Sequence, residues 1–153
     1  MATRRAPAIE VDAAGGSLLG MAPERFLRDY WQKRPLLIRH AFAGFNSPIE
    51  PEDLAGLACE DGVLARLVEH DRGTDAWTVR HGPFAEADFP GLPAHDWTLL
   101  VQDVDKWDAD VRALIALFGF LPRWRIDDVM VSYATPGGGV TFHPTWIPWM
   151  PSS

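Results

Sequence analysis

The chain has 153 residues, 47% of them apolar and 23% charged, which suits one domain with a core and excludes a disordered polyampholyte. Its formal charge of −7 excludes a general phosphate-backbone binder, which needs a basic face, so no direct nucleic-acid contact is expected. Cys59 stands alone, so neither a disulfide framework nor a cysteine-rich zinc site is expected, and the apolar runs are too short for a signal peptide or a membrane span; the expected compartment is the cytoplasm, with no membrane partner.

Residues 1–20 are rich in Ala and Gly and predict a mobile arm or a loosely docked strand. "APERFLRDYWQKRP" (22–35) predicts a helix, with Pro23 in the first turn, Phe26/Tyr30 and Leu27/Trp31 paired at i,i+4, and Pro35 as the stop. "LLIRHAF" (36–42) predicts a short strand. "SPIEPEDLAGLACE" (47–60) predicts a second helix, because Pro51, Glu52 and Asp53 suit its first turn. "VLARLVEH" (63–70) and "AWTVRHGPF" (76–84) predict two strands joined by the turn "DRGTD". "WTLLVQDV" (97–104) predicts another strand. "DADVRALIALFGF" (108–120) predicts a helix with Val111, Leu114, Ile115 and Phe118 on one face, and "RIDDVMVSYATPGGG" (125–139) a strand ending in glycine.

Several residues invite a chemical and a plain reading together. Gly137-Gly138-Gly139 lacks the Lys-Ser/Thr of a P-loop, so a strand-end turn is expected. Asp127-Asp128 beside Arg125 is expected to be a salt-bridged strand start. The seven tryptophans lack interleaved basic residues, so packing is expected rather than base stacking. Lys33, Arg34 and Arg39 in "KRPLLIRH" read as a solvated flank, and Cys59 as a small core residue.

Taken in order, "YWQKRPLLIRHAF", "PEDLAGLA", "RLVEH", "HGPF", "WTLLVQDVDKW" and "LPRWRIDDVMVSYATPGGGV" resemble the bacterial ribosomal oxygenases of the JmjC/cupin class over roughly residues 24–140. The resemblance implies an α+β fold, with N-terminal helices and strands leading into an incomplete cupin/JmjC double-stranded β-helix. It implies a 2-oxoglutarate- and Fe(II)-dependent enzyme that hydroxylates an arginine of a large-subunit ribosomal protein. The implied organisation is an arm (1–20), the N-terminal part of the oxygenase domain (21–140) and a divergent Pro/Trp-rich tail (141–153).

The family pattern continues with Gly-Pro-His-x-Asp, whereas this chain reads Thr141-Phe142-His143-Pro144-Thr145. By the resemblance, His143 takes the place of the first iron ligand and Thr145 that of the ligating aspartate. Such a centre holds iron with two histidines and one carboxylate, leaving positions for co-substrate and dioxygen. His-x-Asp serves because residues i and i+2 of a strand point the same way. A threonine hydroxyl is neutral and replaces a carboxylate poorly, and Pro144 removes a ladder donor. No other histidine has a carboxylate at i+2, and His95-Asp96 are adjacent, which in a strand places them on opposite faces. The distal histidine and the 2-oxoglutarate-binding residues have no counterpart. A truncated, inactive relative that does not bind iron and 2-oxoglutarate productively is therefore expected, with a non-catalytic protein-binding module as the alternative. Self-association is expected as well, because Val129, Met130, Val131 and Tyr133 lack a facing sheet.

Overall fold

The computed structural model describes residues 8–140, which divide into two compact units: 8–47 with 116–123, and 48–115 with 124–140. Helices and strands alternate irregularly, in sheets of two and four strands, and the α+β class stands.

In the first unit the strand β1 (Glu10–Asp12) lies parallel to β2 (Leu37–Arg39), with Glu10 opposite Leu37 and Asp12 opposite Arg39. The residues read as an arm or docked strand thus hold β1, and Ala13 and Leu19 beyond it are buried. Arg39 Nε donates to Glu10 Oε1 at 2.9 Å, and Lys33 Nζ donates to the Arg28 carbonyl, so two cations of "KRPLLIRH" have local partners on an exposed surface. His40, at φ 53°, ends β2, and its Nδ1 meets Asp12 Oδ1 at 3.0 Å.

Helix α1 (Pro23–Asp29) starts on Pro23, as its sequence predicts, but stops well short of Pro35. Gln32 takes a left-handed φ of 55°, and the N–H groups of Lys33 and Arg34 turn back to the Tyr30 carbonyl at 2.8 and 3.1 Å. Local turn bonding closes the helix before proline is reached. Phe26 gathers Tyr30, Trp31 and Phe120 around it at ring separations of 6.3, 6.0 and 5.8 Å.

The second unit is built on an antiparallel sheet in the order β4-β3-β5-β6, formed by Ala76–His81, Ala65–Asp71, Trp97–Val101 and Val131–Ala134. Alternate residues of a strand share a face, and directly paired residues share it too. The pairs Ala65↔Val101, Leu67↔Leu99 and Val101↔Val131 therefore define one apolar face. Helix α2 (Pro51–Cys59) covers it with Leu54 and Ala58, joined by Ile49, Val63, Phe84, Val104 and Val111. Proline at the first helical position, followed by Glu52 and Asp53, places α2 where its sequence predicts.

The β3–β4 hairpin also forms as predicted. Asp71 accepts from the Gly73 N–H at 2.8 Å and the Thr74 hydroxyl at 2.9 Å, organising the turn. The backbone bond from Gly73 leads the forces that lower the Asp71 carboxyl's pKa. After β5 come α3 (Val104–Trp107) and α4 (Ala109–Ala113), the latter capped by Asp108 Oδ1 accepting from the Val111 N–H at 2.7 Å. The α-helix predicted through residue 120 becomes a 3-10 turn over Leu114–Phe118, and Phe118 is exposed.

Three packing expectations are corrected. Val129 and Val131 pack on the α2-side core, leaving Met130 and Tyr133 as the exposed members of their run. Among the described residues no tryptophan is fully buried: Trp97 packs against the core as expected, while Trp77 on β4, Trp107 at the end of α3 and Trp124 in a 3-10 turn are exposed. Asp128 does not begin a strand, since β6 starts at Val131; its Oδ2 accepts from the Asp103 N–H at 3.0 Å instead. Cys59 packs beside the core as expected, and burial raises its thiol pKa.

Candidate functional site

The end of β6 is where the sequence turns from strand to glycine, and the geometry there is dense. The β5–β6 register runs out at Thr98↔Ala134. Thr135 continues it: its N–H and its hydroxyl both donate to the Trp97 carbonyl, at 3.1 and 3.0 Å, while its Oγ1 accepts from the Trp97 N–H at 3.1 Å. The chain then folds over residue 96, with the Asp96 N–H donating to the Pro136 carbonyl at 2.9 Å and the Gly138 N–H to the Thr135 carbonyl at 2.8 Å.

Beneath that turn lies Asp96, its side chain 8% exposed. Arg72 reaches its Oδ1 with Nε at 2.7 Å and Nη2 at 2.6 Å, and His95 Nδ1 meets its Oδ2 at 2.6 Å. The sequence discounts His95-Asp96 because neighbours in a strand diverge. Asp96 precedes β5 and has φ 67°, a left-handed conformation that lets the two side chains meet. Burial pushes the Asp96 carboxyl up, and the hydrogen bonds from Arg72 and His95 outweigh it, so the group titrates below the ordinary carboxylate range.

A lowered folded pKa means the ionised group contributes stability above the unfolded value, and that contribution is lost as pH falls through the folded one. Asp96→Asn is expected to be less stable than the parent at neutral pH, with the difference shrinking below about pH 4. Urea midpoints of both proteins across acid and neutral pH check this; a difference independent of pH refutes it.

The other histidine–carboxylate contacts are simple pairs. His70 Nε2 meets Asp75 Oδ1 at 2.8 Å, and its ring stacks on Trp77 at 4.2 Å. Among the described residues no group of three or more His, Cys, Asp or Glu is arranged to hold a metal ion. His143 and Thr145 lie outside the described residues. A shallow depression of about 340 Å³ is lined by Gly62, Leu64, Asp103, Lys106 and Trp107, with Lys106 Nζ held by Asp103 Oδ1 at 2.6 Å. That hydrogen bond is the main force raising the Lys106 pKa.

No protein-family model matches the chain. It is 48% identical over 118 residues to the ribosomal protein uL16 3-hydroxylase of Escherichia coli (strain K12), covering 77% of this chain and 31% of that protein. It is 45% identical over 123 residues to a probable ribosomal oxygenase of Haemophilus influenzae, covering 80% and 30% respectively. The solved structure of YcfD, a ribosomal oxygenase from Escherichia coli, matches 80% of this chain with a TM-score of 0.73 at 45% identity, using 33% of its own length. Another structure of YcfD, with the same TM-score of 0.73, holds cobalt and 2-oxoglutarate. Among the described residues no helix is long and apolar enough to cross a membrane. The chain is thus a partial homologue of the ribosomal oxygenases, spanning about a third of the length of the relatives it matches.

Proposed function

We propose that this chain derives from the cytoplasmic JmjC/cupin oxygenases, which depend on 2-oxoglutarate and Fe(II) and hydroxylate an arginine of a large-subunit ribosomal protein, and that it is itself inactive. Its similarity to a uL16 3-hydroxylase, and to an oxygenase solved with cobalt and 2-oxoglutarate, supports this reading. The part present supplies the α2-covered sheet and the glycine turn that leads out of β6.

The donor set in this chain does not fit the iron. The described residues offer only histidine–carboxylate pairs, and no His-x-Asp or His-x-Glu occurs anywhere in the sequence. At the family's ligand position the chain has His143-Pro144-Thr145, and the observation that carries the inactivity is this exchange of a carboxylate for a neutral hydroxyl. Metal affinity is built from ligand number, charge and geometry, so one imidazole is a weak and unselective ligand.

The test is a titration of the whole chain with Mn(II), read by electron paramagnetic resonance, together with succinate release from 2-oxoglutarate under Fe(II). Non-saturating binding that His143→Ala leaves unchanged, with no succinate formed, is expected. Stoichiometric binding abolished by His143→Ala, or iron-dependent succinate formation, overturns the reading. A protein-binding module is the second reading, favoured by Leu64 and Trp107, 60% and 49% exposed at the rim of one depression.

A further inference from the structure

We infer that Arg72 and Asp96 are positioning residues: their ion pair is the seat on which the turn at Gly137 closes, and it sets the course of the chain beyond β6. Three separate pieces of sequence converge there. Arg72 comes from the β3–β4 turn, His95 and Asp96 from the approach to β5, and Pro136–Gly138 from the end of β6.

An exposed ion pair contributes little, because water competes for both charges. This pair differs in that the carboxylate side chain is 8% exposed while the guanidinium is 65% exposed. The buried partner is fixed from several directions: Arg72 and His95 hold its side chain, its N–H is bonded to Pro136, and its carbonyl accepts from the His70 N–H at 2.8 Å. A fixed carboxylate is a rigid surface for the backbone to close on.

Gly137 lies directly on that surface. A Cβ there would overlap Arg72 Nη2 and Asp96 Oδ1, and the residue has φ 77°, which glycine adopts without a Cβ penalty. The glycine requirement at 137 therefore has two sources, backbone conformation and the ion pair beneath. Removing the pair should lift the second and leave the first.

The inference rests on the proposed function only in the meaning given to the residues after Val140, where the family's ligand position falls. Its test needs neither metal nor co-substrate, so either can fail alone. Amide hydrogen exchange by NMR on the full chain is compared with Arg72→Ala and Arg72→Lys. The Asp96 and Gly138 amides are expected to exchange about tenfold faster in Arg72→Ala, while the Leu67 and Leu99 amides keep their protection. Arg72→Lys, which keeps the charge but loses the second donor, should fall between, and it carries the comparison if Arg72→Ala does not fold. In a double-mutant cycle, Gly137→Ala should cost less stability in an Arg72→Lys background than in the parent, because the overlap with Nη2 is gone while that with Asp96 Oδ1 remains. Unchanged protection of Asp96 and Gly138 in both Arg72 variants overturns the inference, as does a Gly137→Ala cost identical in the two backgrounds.

Discussion

Leu67→Ala is expected to remove about 2–5 kcal/mol of stability, the range for a buried leucine truncated to alanine. Leu67 is 0% exposed in β3, the strand flanked by β4 on one side and β5 on the other. Its direct partner across the sheet is Leu99, itself 2% exposed, and both belong to the cluster that α2 covers with Leu54 and Ala58. Ladder bonds on both edges hold the β3 backbone, so the strand cannot slide inward to fill the space. The lost methyl groups leave a cavity, and its cost adds to the lost transfer energy. Leu64 is the internal control: it precedes β3, is 60% exposed, and Leu64→Ala should change stability by less than about 0.5 kcal/mol. Urea denaturation of the two variants measures the contrast, with midpoints moving and slopes held. Equal losses at the two positions would mean that the apolar face assigned to β3 is wrong.

What the sequence made legible is what short-range chemistry decides. Helix α2 was readable because Pro51, Glu52 and Asp53 favour a helix start wherever they occur. The β3–β4 hairpin was readable because Asp71, Gly73 and Thr74 make their own turn. The length of α1 was not, since Gln32 enters the left-handed region and the chain closes on Tyr30 well before Pro35. Nor was the tightening of 114–118, where apolar spacing suits an α-helix and a 3-10 turn forms. The exposure of Trp77, Trp107 and Trp124 was not legible, because composition carries no information on which way a strand, helix or turn faces.

At the candidate site the glycines and the His95-Asp96 pair were visible, while Arg72 was not. Arg72 and Asp96 are separated by 24 positions, and only the pairing of β3 with β5 brings them together. The departure at Thr145 was readable directly, because it is a matter of residue type.

Gly138→Ala should cost about 1–3 kcal/mol, as an added methyl does in a packed site that cannot yield. A Cβ at Gly138 would overlap the Trp97 carbonyl oxygen and stand 2.9 Å from the Thr135 oxygen. Both obstacles are main-chain atoms, unlike the side-chain ends that face Gly137. The Trp97 oxygen accepts from the Thr135 N–H and hydroxyl, and the Thr135 oxygen accepts from Gly138 itself. To make room, the turn must release the bonds that continue the β5–β6 ladder. Gly139 has open space around its would-be Cβ, so Gly139→Ala should stay within about 0.5 kcal/mol of the parent. Two neighbouring glycines, changed identically, therefore separate two explanations of the motif. If both substitutions are tolerated, the glycines serve flexibility alone. If only Gly138 resists, that glycine is there because the backbone of β5 leaves no volume for a side chain, and it marks a close main-chain approach within the run.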